Sequence, residues 1–254
     1  MVLLDPLFMV ILAFLLETVD ASIGMGYGTI LSPVLLMIGF DPLQVVPAVL
    51  VSQLAGDFLA AFFHHEFKNV DLSVGSKHFK VAVTLSLLGL GGSMIAVAIA
   101  VNLPKLLINL YIGMLFAIIG FIVLATKNKN YDFSWTRLLS LGCLAAFNKG
   151  ISGGGYGPLV TTGQILAGVR ARSAIGIISL AEGVTCVVAL LMYVLIGRGI
   201  DWPLSITLSI GVVLSTPLAA SFVRKIESTR LRLIIGIATL LLGLSTILRT
   251  LGFP

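Results

Sequence analysis

The sequence predicts an all-α integral membrane protein of two inverted repeats, with glycine-broken, discontinuous helices at the repeat interface, and three observations predict it. The 254 residues are 58% hydrophobic and 11% charged, with a mean hydropathy of +1.11. A soluble domain carries about 25% charged residues, so this chain lacks the charge to coat a water-soluble core. Two glycine clusters, Gly24-Met-Gly-Tyr-Gly28 and Gly153-Gly-Gly-Tyr-Gly157, stand 129 positions apart. The basic residues divide seven to eight between the two sides if each glycine-broken stretch counts as one crossing, but twelve to three if it returns to its starting side.

Apolar runs at about 7–24, 43–63, 79–101, 106–126, 138–152, 173–196, 204–223 and 231–250 come close to the roughly 20 residues that a spanning helix needs. Runs at about 28–38 and 157–168 are too short to cross as straight helices, and each follows a glycine cluster. The N-terminus has no basic n-region, and Glu17 and Asp20 stand where a signal peptide would end, so no cleavage is expected. Cys143 and Cys186 both lie inside apolar runs and imply neither a disulfide framework nor a metal site. No metal or cofactor is expected. The net charge of +5 comes from residues scattered through short loops, which makes them topology determinants facing a lipid bilayer and not a nucleic-acid surface.

The shift of 129 superposes Gly24 on Gly153, Gly26-Tyr27-Gly28 on Gly155-Tyr156-Gly157, and Gly39 on Gly168. Val70-Asp71 matches Ile200-Asp201, and Gly113 falls near Gly236. The repeats are placed at 1–126 and 127–254, together one transport domain. If each glycine-broken stretch returns to its starting side, Lys68, Lys77, Lys80, Lys127, Lys129, Arg137, Arg170, Arg172, Arg224, Lys225, Arg230 and Arg232 share one face. Only Lys105, Arg198 and Arg249 then occupy the other. That bias makes the basic loops cytoplasmic and the repeats inverted, with both termini outside.

Backbone broken at membrane depth must be shielded by protein or line a wet cavity. A glycine run lets N–H groups converge, and the helix starting after it adds the positive end of its dipole. An anion suits such a place, although glycines there also permit close helix packing. Lys149 lies inside an apolar segment four positions before Gly153, where a charge costs of order 3 kcal/mol and marks a pathway or a paired structural charge. Its repeat equivalent is Asp20, with Glu17 one turn earlier on the same face. Lys149 is therefore read either as the group that binds an anion or as half of a salt bridge with Asp20. Gln53 and Asp57 share a helix face, and Glu182 stands at the repeat equivalent of Gln53. These carboxylates are candidates for proton exchange, with sodium coordination as the alternative. His64, His65 and Glu66 are expected to form a solvated interfacial cluster, and His78 to be a plain loop residue.

Two short motifs point elsewhere and fail. Gly150-Ile-Ser-Gly153 resembles the G-x-S-G of rhomboid intramembrane proteases, with Ser152 as nucleophile. All three histidines here precede that serine, whereas that family places its base on a later helix. The Gly-Tyr-Gly segments resemble a potassium-channel filter, but its preceding Thr-Val is absent and an antiparallel pair of repeats cannot build a parallel ring.

Gly24-Met-Gly-Tyr-Gly-Thr-Ile-Leu-Ser-Pro33 followed by Gly39-Phe-Asp-Pro42, and Gly153-Gly-Gly-Tyr-Gly-Pro-Leu-Val followed by Gly168, resemble the twin glycine-rich motifs of the TauE/SafE sulfite exporter family. The resemblance covers nearly the whole chain. It implies a secondary carrier of the inner membrane, without ATP use, for small sulfur-containing anions such as sulfite or sulfoacetate-like organosulfonates. No Walker motif occurs in the chain. Thr162 stands where the first half has Pro33, so the half-helices need not be equivalent. The expected function is a secondary transporter, an exporter working by alternating access with proton coupling as one option, and not an enzyme. An anion channel and a membrane scaffold are the alternatives. Substrate-binding candidates are Ser22, Gly24, Gly26, Tyr27, Gly28, Lys149, Ser152, Gly153, Gly154, Gly155 and Tyr156. Coupling candidates are Glu17, Asp20, Gln53, Asp57 and Glu182. The expected partners are a small anionic substrate and the lipid bilayer, with homo-oligomerisation left open.

Overall fold

The computed structural model describes residues 6–100, 105–126, 129, 131–152, 156–195 and 199–251. Its elements are helices, α1 (Pro6–Ile23), α2 (Tyr27–Ile38), α3 (Pro42–Glu66), α4 (Lys77–Ala100), α5 (Lys105–Ala125), α6 (Trp135–Ser152), α7 (Tyr156–Leu166), α8 (Ala171–Leu195), α9 (Trp202–Lys225) and α10 (Ser228–Thr250). No strand occurs among the described residues. Among the described residues, five helices are long and apolar enough to cross a membrane: α1, α3, α8, α9 and α10. Every apolar run of the sequence is a helix, with ends a few residues from those expected, because polar caps and not the apolar stretch set the boundary.

Local chemistry fixes those starts. Asp41, Pro42 and Gln44 open α3 with half of a capping box: Gln44 Oε1 reaches back to accept the Asp41 N–H at 3.4 Å, while the Gln44 N–H donates to the Asp41 backbone carbonyl at 2.9 Å. Ser76 Oγ caps α4 through the Phe79 N–H at 3.0 Å, and Asp201 Oδ1 caps α9 through the Leu204 N–H at 3.1 Å. The matching Asp71 does not cap its helix. It folds back on the loop and accepts the Ser73 N–H at 3.0 Å, and the Ser73 hydrogen bonds hold its carboxyl below the usual range. His78, expected in a loop, sits in the first turn of α4, and its Nδ1 accepts the Asp71 N–H at 3.1 Å. The structure corrects that expectation because the helix begins at Lys77, directly after its cap Ser76.

The chain forms two compact units: Met1–Ala82 with Ile175–Lys225, and Val83–Ala174 with Ile226–Pro254. Each unit takes helices from both halves of the sequence. In the first, α1, α2, α3 and α9 share a core of Met9, Ala13, Tyr27, Leu31, Leu35, Val45, Ala48, Leu204, Leu208 and Val212. Gly211 lets α9 lie directly on α1, since a methyl group there would strike the Val10 carbonyl. The outer face of α1 presents Leu7, Ile11, Leu15 and Val19, all exposed at a spacing of four. An apolar stripe of that kind is suited to lipid.

In the second unit α5 and α10 pack glycine to glycine. A methyl group on Gly120 would lie 2.6 Å from the Leu240 nitrogen, and one on Gly113 3.0 Å from the Gly243 carbonyl. Small residues of this kind let backbones approach where lipid offers no hydrophobic drive for association.

Candidate functional site

Between α1 and α2 the backbone leaves helical geometry at Gly24 and Gly26, whose φ values are 75° and 132°. Both values lie where a side chain is strongly disfavoured, and so glycine is required. The turn delivers the first N–H of α2, from Tyr27, to Oδ1 of Asp20 at 3.0 Å. Asp20 is buried. A carboxylate is what the positive end of a helix favours, and here the chain itself supplies it.

Tyr27 is fully buried, and its hydroxyl lies 2.7 Å from Ser52 Oγ. Ser52 donates its own proton to the Val49 carbonyl at 3.0 Å, so the Tyr27 hydroxyl is the donor in the pair. Gly28 follows in the first turn of α2, close against α3. A methyl group there would stand 3.0 Å from Gln53 Oε1. Ser22 is half-buried in the last turn of α1.

The acidic candidates of this unit converge on the same region. Glu17 is 1% exposed, and a methyl group on Gly56 of α3 would approach its Oε1 to 2.8 Å. That oxygen has no hydrogen-bond partner among the described residues. Asp57, 3% exposed, packs against α8: the Cys186 thiol lies 3.9 Å from its Oδ2, and Gly183 abuts its Cβ. Glu182, half-buried beside Gly183, lies within electrostatic reach of Glu17 and Asp20. Glu17, Asp20 and Asp57 all reach Tyr27 in the same way. Helices α1, α3 and α8 thus gather four carboxyl groups around the start of α2. No grouping with metal-binding geometry occurs among the described residues.

The histidine cluster corrects the sequence expectation. His64 is wholly buried, not solvated. Its Nε2 lies 2.9 Å from the Ala21 carbonyl and its Nδ1 2.9 Å from the Asn69 amide nitrogen, which also donates to the Ala220 carbonyl at 2.9 Å. The amide must donate to Nδ1, so Nε2 carries the proton and donates to Ala21. This chain ties α3 to the last turn of α1 and to α9. Its partners lie 43 and 151 positions away in sequence, which is why no local pattern announces it. His65 is half-buried and Glu66 exposed.

In the other unit, Gly153, Gly154 and Gly155 lie outside the described residues, as do the side chains of Lys149 and Ser152 in α6. Tyr156 is buried at the start of α7 and donates its hydroxyl to the Leu85 carbonyl at 2.7 Å. The candidate tyrosines therefore both hold helices together through their hydroxyls. Thr162, 129 positions after Pro33, donates to the Pro158 carbonyl one turn earlier.

Against known proteins, the family model described as "Sulfite exporter TauE/SafE" matches residues 9–246. A "Probable membrane transporter protein YtnM" from Bacillus subtilis (strain 168) is 25% identical over 251 residues, covering 93% of this chain and 81% of the relative. No solved structure matches.

Proposed function

Because the chain belongs to the Sulfite exporter TauE/SafE family, a family of membrane transporters, we propose that it is a secondary carrier of the inner cell membrane that exports small sulfur-containing anions, sulfite or sulfoacetate-like organosulfonates. The multi-pass helical fold supports a carrier within the bilayer. The helix order supports an origin in duplication: α1, α2 and α3 each begin 129 positions before α6, α7 and α8. In this reading the repeats are inverted, the helices broken at the glycine clusters carry the site, and alternating access moves one repeat against the other. The basic loops face the cytoplasm and both termini lie outside.

The observation that carries the mechanism is Asp20 seated on the first N–H of α2. A substrate anion seeking that N–H competes with a carboxylate tethered to the protein. Protonation of Asp20 removes the competing charge and frees the N–H, so proton and anion bind together. The groups around Asp20 are Glu17 on its own helix, Tyr27 on α2 and Glu182 on α8, while Asp57 on α3 reaches Tyr27. His64 of α3 holds the next carbonyl along α1, and the charged groups of α9 lie at its two ends. Lys149 supplies the positive charge that neutralises the substrate. Net flux then follows the sum of the two gradients: it runs outward, as export, when the anion accumulates inside beyond what the proton gradient opposes, and in liposomes an imposed inward proton gradient drives the same step in reverse.

The test is uptake of sulfite, sulfoacetate and taurine into proteoliposomes with and without a pH gradient. Accumulation above the external concentration with acid outside supports a coupled carrier. Downhill flux indifferent to pH indicates a channel. No movement of any of the three contradicts the reading.

A further inference from the structure

We propose that the second unit carries a binding site for a phosphate group where the Tyr131 loop meets the first turns of α8 and α10. A cavity of about 320 Å³ there is lined by Tyr131, Arg170, Ala171, Ser228 and Arg232, among others. Its volume falls at the lower end of the roughly 300–1,000 Å³ of ligand pockets, enough for a phosphate and part of what it is attached to.

Arg232 is the decisive residue. It is 9% exposed, so its charge is largely withdrawn from water. Its Nη1 donates to the Lys129 carbonyl at 2.7 Å and its Nη2 to Thr126 Oγ1 at 3.3 Å, and both acceptors are neutral. Its Nε has no partner among the described residues. Its guanidinium carbon stands 5.6 Å from the centre of the Tyr131 ring, and that of Arg137 stands 5.4 Å from the same ring. Arg137 spends its donors on the Leu166 and Asp132 carbonyls, again neutral groups. Glu227 beside the cavity pairs instead with Arg230, at 3.6 Å and in solvent. A buried guanidinium without a carboxylate is costly unless an anion joins it.

The backbone adds to the same demand. Ala171 and Ser228, the first residues of α8 and α10, both line the cavity. The N-cap of α10, Glu227, makes no side-chain cap hydrogen bond, so the positive end of that helix is left for another acceptor. Arg170 is exposed at the rim. Two helix starts and a buried arginine match the several oxygens and the charge of a phosphate. The phosphate comes either from the head group of an anionic phospholipid or from a free ion, and the basic loops around the cavity suit the first source.

Thermal unfolding of the purified full-length protein in neutral detergent tests this. The probes are inorganic phosphate at constant ionic strength, and mixed micelles of phosphatidylglycerol or of phosphatidylcholine alone. The melting temperature is expected to rise saturably with phosphate, with phosphatidylglycerol or with both, and not with phosphatidylcholine. A rise with phosphate alone assigns the free ion, and a rise with phosphatidylglycerol alone assigns the lipid. The half-saturating concentration should increase at least tenfold in Arg232→Gln and Arg170→Gln, and stay unchanged in Lys80→Gln. If Arg232→Gln fails to fold, the exposed Arg170→Gln decides. No saturable rise with either probe, or equal weakening in Lys80→Gln, would overturn the proposal.

Discussion

The backbone N–H of Tyr27 donates to Oδ1 of Asp20 across the turn that separates α1 from α2, at 3.0 Å. One acid therefore both caps a helix and occupies the place an anion would seek. The two roles separate by substitution. Asn retains an oxygen that caps well, whereas Ala removes it at about 1 kcal/mol. Asp20→Asn should melt close to wild type and lose the pH dependence of anion uptake; Asp20→Ala should be less stable. Thermal unfolding and flux between pH 6 and 8 measure both.

The glycine contacts of α5 and α10 predict a stability effect remote from that turn. A methyl group on Gly243 would strike the Ala117 nitrogen and approach the Gly113 carbonyl to 2.7 Å, whereas one on Gly91 meets nothing within 4 Å. Overpacking costs typically about 1–3 kcal/mol. Gly243→Ala should lower the free energy of unfolding measured in denaturant by that amount, and Gly91→Ala should leave it unchanged.

His64 makes a third case. Replacing it with Ala leaves the Asn69 amide and the Ala21 carbonyl without their present partner in the protein interior, a loss of about 1–3 kcal/mol. Glu66→Ala, two positions on and exposed, should change stability by no more than about 0.5 kcal/mol. The same unfolding assay compares them.

Lys149→Met tests the charge assigned to the substrate. The variant should fold and melt like wild type while anion flux falls to the level of empty liposomes. Loss of folding would instead favour a structural salt bridge.

The helices were legible because a bilayer demands a long apolar run for each crossing, and α3 and α9 follow those runs to within a few residues. Asp20 and Glu17 were visible as acids in an apolar segment, but the partner of Asp20 was not, because the positive φ of Gly24 and Gly26 brings Tyr27 back on it. His64 read as interfacial from its place at a helix end on the Lys-rich side, while it is buried between the Ala21 carbonyl of α1 and Asn69, which is itself held by the Ala220 carbonyl of α9. Arg232 read as one more topology determinant. Its burial depends on Tyr131 and the Lys129 carbonyl, about a hundred positions away.

The central claim, an anion carrier whose binding step releases Asp20 from the start of α2, is tested most directly by sulfite uptake into proteoliposomes of wild type and Asp20→Asn under an inward proton gradient. The account predicts gradient-driven accumulation by wild type and pH-independent equilibration without accumulation by the variant. Equal accumulation by both proteins, or none by wild type, would contradict it.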